Sequence, residues 1–208
     1  MSDEGAGARA AAPTAQAPWL WIGVAALLGG GALLAASAEP HRLDWQPDLA
    51  RAQPWRWWTA AWVHWSESHR WANLAGTALV GAFGWRAGCT RADALAWLAA
   101  WPLTHMALWW SRPDLAHYGG LSGVLHAGVV VAGCALLRDG QRRWLGALVL
   151  IGVTVKVWLE QPWLGPLQRW PHWDIAIAPA AHASGAMAGM ACALAAHVVH
   201  RARKRVNA

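Results

Sequence analysis

His117-Tyr118-Gly119-Gly120-Leu121-Ser122-Gly123-Val124-Leu125-His126-Ala127-Gly128 opens an apolar run that continues to about residue 137. It sets a single serine between glycines at the head of that run. Glycine on either side lets another backbone come close to the hydroxyl. A plain helix contact would carry the same pattern, because small-xxx-small spacing is a common packing device in membranes. The rest of the chain has to separate these two readings.

Of the 208 residues, 56% are hydrophobic and only 13% charged, and the charges cluster between apolar runs, although Lys156 falls inside one. Six runs stand out, near residues 18–38, 69–86, 92–111, 119–137, 144–160 and 175–200. Each is close to the roughly 20 residues a helix needs to span hydrocarbon. The expected fold is therefore an all-α membrane protein, a bundle of six transmembrane helices over residues 18–200. Many of the 19 tryptophans, Trp19, Trp21, Trp85, Trp109, Trp110, Trp144 and Trp163 among them, fall at run ends, where an indole keeps its N–H in the interface.

The net charge of +6 does not point to nucleic acid, since the basic residues occupy short loops and a tail rather than one aromatic-interleaved face. With the N-terminus in the cytoplasm, Arg9, Arg86, Arg91, Arg138, Arg142, Arg143, Arg201, Arg203, Lys204 and Arg205 fall inside, against Arg42, Arg51, Arg56, Arg70, Arg112 and Arg169 outside. That asymmetry places both termini in the cytoplasm. Residues 1–17 are Ala-, Gly- and Pro-rich without hydrophobic period and read as disordered; residues 201–208 read as a basic tail. Ala36-Ser37-Ala38 has the small-residue form of a signal-peptidase site, but the long lead-in with Asp3 and Glu4 favours a retained first helix. Cys89, Cys134 and Cys192 form no close pair and read as apolar packing residues.

Between the first two runs lie about thirty residues rich in tryptophan, amphipathic material suited to the membrane interface. The second helix is expected to start near Ser68, with His105 of the third helix in a packing role and the sixth helix opening at Asp174 and Pro179. Lys156 and Glu160 share one face near the end of the fifth helix and read as a structural ion pair. With the N-terminus inside, helices two, four and six all start on the outer side, and the intramembrane polar residues gather there: His69 and Asn73, Ser122, and His182. At 1.5 Å rise per residue these meet roughly a turn or two below the outer surface. A serine and a histidine suffice for nucleophilic acyl transfer, the imidazole taking the hydroxyl proton and returning it to the leaving amine. His69 and Asn73, four apart on one helical face, can donate to an oxyanion together with the Ser122 N–H at its helix N-terminus. Polar groups in a span are too costly to be idle.

Four motifs, in order on the expected first loop and helices two, four and six, resemble the rhomboid intramembrane serine proteases. They are Trp55-Arg56; His64 with His69-Arg70-Trp71-Ala72-Asn73; Gly120-Leu121-Ser122-Gly123; and His182-Ala183-Ser184-Gly185-Ala186-Met187-Ala188-Gly189. The resemblance runs from the first helix onward. It implies a Ser122–His182 dyad, an oxyanion hole of His69, Asn73 and the Ser122 N–H, His64 as a supporting residue in the cavity, and single-pass transmembrane proteins as substrates. It implies no cofactor. Many rhomboids carry tyrosine four residues after the serine, and here the position is His126, able to stack on His182 or compete with it as base. The GLSGVLH form, the compact size and Lys156-x-x-x-Glu160-Gln161 look like the rhombosortase branch, bacterial inner-membrane enzymes thought to process proteins with a C-terminal Gly-Gly anchor (GlyGly-CTERM) helix.

Other classes fit less well. A silent rhomboid-like binding protein has no need of both Ser122 and His182. A metal or haem protein would want helix-aligned ligands, whereas His64 and His69 are five apart and no HExxH occurs. A transporter would show internal repeats or paired broken helices.

Overall fold

The structure, a computed structural model, describes residues 18–171 and 173–206; the disorder expected for 1–17 lies outside the described residues. Six long helices carry the fold: α1 (Trp19–Leu34), α4 (Glu67–Ala87), α5 (Arg91–Ser111), α6 (Ser122–Leu137), α7 (Arg143–Leu159) and α8 (Pro179–Val206). Two single-turn helices, α2 (Pro40–Leu43) and α3 (Arg56–Thr59), belong to the first loop. A two-stranded hairpin, β1 (Gln168–Arg169) antiparallel to β2 (Ala176–Ile177), sits between α7 and α8.

Local chemistry accounts for the helix ends. Ser66 caps α4 by accepting the His69 N–H at 3.2 Å, and Gly88 closes the helix in the left-handed region at φ 71°. Thr90 and Asp93 form a reciprocal capping box at the start of α5. The same Asp93 carboxylate receives Arg138 at 2.7 and 2.8 Å, tying the start of α5 to the end of α6. α8 begins at Pro179, so Asp174 does not open it but belongs to the preceding loop, and the helix continues through the basic segment to Val206.

α6 is the central element, packed by α4, α5, α7 and α8. Its core neighbours include Trp21, Leu28 and Trp97, all fully buried. The contact with α8 is closest. A Cβ on Gly185 would collide with the Gly123 carbonyl, and one on Gly189 would lie 2.6 Å from the Ala127 carbonyl oxygen. Only small residues permit that approach. α7 is peripheral: Gly146 is its one buried residue, while Leu148, Ile151, Val155, Trp158 and Leu159 face outward. So large an exposed apolar surface needs an apolar surrounding or partner.

The first loop is half docked and half exposed. Trp45 is fully buried with Leu108, Leu115 and Tyr118, whereas Trp55, Trp58 and Trp65 remain exposed. His105 packs as expected, fully buried with Nδ1 donating to the Trp57 carbonyl at 2.6 Å. Among the described residues, two helical stretches, Trp19–Ser37 and Pro179–Val199, are long and apolar enough to cross a membrane, with mean hydropathy 1.9 and 1.3. α6 is apolar but only 16 residues long. α4 reaches 21 residues, and the polar side chains of His69, Asn73 and Thr77 lower its hydropathy. Among the described residues the fold is all-α apart from the small hairpin.

Candidate active site

The starts of α4, α6 and α8 and the end of α7 converge on one cavity of about 310 Å³, lined among others by His69, Asn73, Ser122, His126, Lys156, Glu160 and His182. Ser122 is the first residue of α6, preceded by Gly119 and Gly120 outside regular secondary structure. At that position its N–H has no intrahelical acceptor and faces outward from the positive end of the helix. Gly120 has φ 132°, and a Cβ there would lie 2.8 Å from the His69 ring, so glycine is required on both counts. Gly123 plays the matching part on the other side, since its Cβ would sit 2.7 Å from the Ala181 carbonyl oxygen.

That close approach of α6 and α8 brings Ser122 Oγ to 2.9 Å from His182 Nε2. His182 Nδ1 in turn lies 2.7 Å from Glu160 Oε2, and Glu160 Oε1 accepts from Lys156 Nζ at 2.6 Å. A carboxylate only accepts, so Nδ1 carries the imidazole proton and Nε2 presents its lone pair to the serine hydroxyl. The Lys156–Glu160 ion pair read from the sequence is present, and Glu160 also meets His182 through its other oxygen. Glu160 serves both partners and makes a three-residue line with His182 and Ser122. Its signal in the sequence was its place at the outer end of the fifth helix, level with the starts of the fourth and sixth. Gln161, immediately after it, is the only non-glycine residue with positive φ among the described residues, at 50°. The left-handed conformation is unfavourable for a residue with a Cβ, and here it ends α7 at the carboxylate that meets His182.

His126 stacks on His182, ring centroids 4.3 Å apart and planes 16° apart. Its Nδ1 donates to the Ser122 carbonyl at 2.7 Å, one turn back along the same helix. His126 Nδ1 is thus committed to the backbone, and the Ser122 hydroxyl is met by His182.

Asn73 Nδ2 and His69 Nδ1 are buried without a hydrogen-bond partner. A buried donor without a partner costs about 1–3 kcal/mol, and an oxyanion in the cavity would satisfy Asn73 Nδ2; the His69 ring presents its Cε1–Nε2 edge toward Gly120. His64 is placed differently from expectation. It does not line the cavity but stands behind His69, rings 4.9 Å apart, with Nδ1 donating to the Trp62 carbonyl at 3.1 Å and its side chain bordering a separate small cleft. Any support it gives is through His69.

The loop between α7 and α8 roofs the cavity with Leu167, Trp173, Ile175 and Ile177. It is fastened across the opening by Asp174 Oδ1, which accepts from Ser68 Oγ at 2.7 Å and Ser66 Oγ at 3.0 Å. These two hydroxyls, Ser68 first, hold the Asp174 carboxyl below the usual carboxylate range. Sequence reasoning missed this fastening because 106 residues separate Ser68 from Asp174.

No family model matches this chain, and no curated protein matches it in sequence.

Proposed function

We propose that the chain is a polytopic membrane protein of rhomboid type, a six-span intramembrane serine endopeptidase with both termini in the cytoplasm. The observation that carries this is the hydrogen-bonded line from Ser122 Oγ through His182 to Glu160, in a cavity that the unpartnered Asn73 amide and the His69 ring also line. An acyl-transfer site requires a hydroxyl, a base held in one tautomer, and donors waiting for developing charge. All three groups meet in one roofed cavity.

The reaction follows from these positions. Ser122 Oγ attacks the scissile carbonyl carbon as its proton passes to His182 Nε2, and Glu160 stabilises the imidazolium through Nδ1–H. The carbonyl oxygen becomes an oxyanion held by the Ser122 N–H, Asn73 Nδ2 and the His69 ring. Collapse breaks the C–N bond, and His182 returns its proton to the departing amine. Water then attacks the acyl-enzyme with His182 again as base, releasing the carboxylic acid and restoring Ser122.

Depth supports a membrane-embedded substrate. At 16 residues α6 rises about 24 Å, short of the roughly 30 Å hydrocarbon core. With its inner end at one boundary, Ser122 lies about 6 Å beneath the other. A single-pass substrate helix must partly unwind at small or helix-breaking residues to present an extended backbone there. His126 and the Lys156–Glu160 pair favour the rhombosortase branch, with clients bearing a C-terminal Gly-Gly anchor in a bacterial inner membrane.

Labelling of the detergent-purified protein by a fluorophosphonate probe tests the reading. Wild type is expected to label, Ser122→Ala and His182→Ala to lose labelling, and His126→Ala to keep it. A folded wild type that does not label would instead support a rhomboid-like protein that holds transmembrane clients without cutting them. Loss in Ser122→Ala and His126→Ala alone would make His126 the base.

A further inference from the structure

Away from the acyl-transfer groups, three side chains from two distant segments aim at one point. Asp44 is fully buried, yet its Oδ2 lies 2.7 Å from His117 Nδ1 and 3.5 Å from His41 Nδ1. A simple ion pair would satisfy that oxygen with one imidazole, whereas here two converge on it. The other carboxylate oxygen is already occupied, Oδ1 accepting from Arg56 Nη1 at 3.0 Å and Gln46 Nε2 at 2.7 Å. We propose that His41, Asp44 and His117 form a binding site for a zinc-class divalent cation at the outer end of the first loop.

Donor set, spacing and surroundings all bear on the choice of ion. Two imidazole nitrogens and one carboxylate oxygen suit Zn²⁺, whereas Mg²⁺ and Ca²⁺ take oxygen ligands throughout. Tetrahedral zinc with ligands near 2.0–2.1 Å sets neighbouring ligand atoms about 3.3 Å apart. The distances of 2.7 and 3.5 Å fall on either side of that value, so small side-chain adjustments close the site. His41 and His117 are both exposed, which leaves a fourth position for water. The residues around the three ligands fix their backbones. Arg56 Nη1 donates to the main-chain carbonyls of His41 and Asp44 at 3.0 and 2.7 Å, and Gln46 Nε2 to that of His41 at 3.0 Å. His117 is held by the backbone bridge next to it, Trp45 N–H to Tyr118 carbonyl at 2.7 Å and the reverse at 3.0 Å. Such supporting hydrogen bonds orient ligands and strengthen a metal site.

Occupancy would staple α2 and the first loop to the segment that leads into Ser122, since His117 also lines the cavity. Spacing in the sequence does not reveal the site, because 73 residues separate Asp44 from His117.

The test is equilibrium dialysis of the detergent-purified, chelator-stripped full chain against low-micromolar Zn²⁺, with metal counted by elemental analysis and Mg²⁺ run in parallel. One zinc per chain is expected, and no magnesium. His41→Ala, on the exposed face of a surface turn, should weaken zinc binding by roughly tenfold or more, as should His117→Gln. His126→Ala serves as the comparison, because His126, Glu160 and His182 are the other such grouping among the described residues; it should keep the zinc. A wild type that binds none overturns the proposal. So does a His41→Ala protein that binds as wild type does, and so does loss of the metal in His126→Ala alone.

Discussion

Ser122, His182 and Glu160 are joined by two short hydrogen bonds, and each is sensitive to a different change. Glu160→Gln keeps shape but can donate an N–H to His182 Nδ1, which favours the tautomer with its lone pair turned from the serine. Loss of a correctly oriented general base is worth about 10²–10⁴-fold, so the rate of fluorophosphonate labelling should fall within that range in Glu160→Gln. Lys156→Ala should cost far less, since Lys156 touches only the outer carboxylate oxygen. Equal losses in the two variants would mean that the Lys156–Glu160 pair, rather than the Glu160–His182 bond, matters. Gln161→Gly removes the Cβ penalty at φ 50°, and thermal melts in detergent should show a gain of up to about 1 kcal/mol. Four of the cavity's groups, His69, Asn73, Ser122 and His182, were legible in the sequence because each is a polar residue at the outer start of an apolar run. Glu160 was legible only as a possible acidic partner of this group, because a lysine one turn away offered a local explanation for it.

Between helices, the α6–α8 contact sets the distance from serine to histidine. The expected consequence of Gly185→Val is a forced separation at the Gly123 carbonyl. Overpacking of this kind costs about 1–3 kcal/mol, and labelling should be lost even where the protein still purifies as a folded species; labelling at the wild-type rate would refute the link between this contact and the Ser122–His182 geometry. The roof over the cavity depends on another device. Asp174→Ala removes the acceptor shared by Ser66 and Ser68, and backbone hydrogen exchange over 165–177 should quicken while the helix cores keep their protection. The same contact is acid-sensitive. A carboxyl held below its ordinary value of 3.8 stabilises the closed roof above that pH, and the contribution is lost as pH falls through the lowered folded value. Exchange in the roof should therefore accelerate in strong acid for wild type and be less pH-dependent for Asp174→Ala. Helix positions were readable from apolar runs and caps; α4 begins one residue before Ser68. The roof was not readable, since a hairpin of two residues per strand has no periodicity and its fastening is long-range.

Taken across the full bundle, charge and apolar surface give one orientation. The loop joining α6 to α7 carries Arg138, Arg142 and Arg143, and the end of α8 carries Arg201, whereas the loop joining α5 to α6 carries Arg112 paired with Asp114. Basic residues are retained on the cytoplasmic side, so the proposed topology has the cavity at the starts of α4, α6 and α8 opening outward. Leu148, Ile151, Val155 and Trp158 on α7 face outward, and under the proposed six-span topology lipid covers them, even though the helix is 17 residues long and shorter than the usual span. Cysteine accessibility tests both statements together. In a background with Cys89, Cys134 and Cys192 replaced by alanine, Ala116→Cys and Gly140→Cys each place a thiol at an exposed loop position. A membrane-impermeant maleimide added to intact spheroplasts should label Ala116→Cys and leave Gly140→Cys unreacted until the membrane is opened. Ile151→Cys, at the middle of α7, should resist the reagent in both conditions because hydrocarbon covers it. Reversal of the two loop results would turn the cavity toward the cytoplasm and overturn the proposed topology with both termini inside. Ready labelling at Ile151→Cys would mean that α7 lies against water or a partner protein rather than lipid.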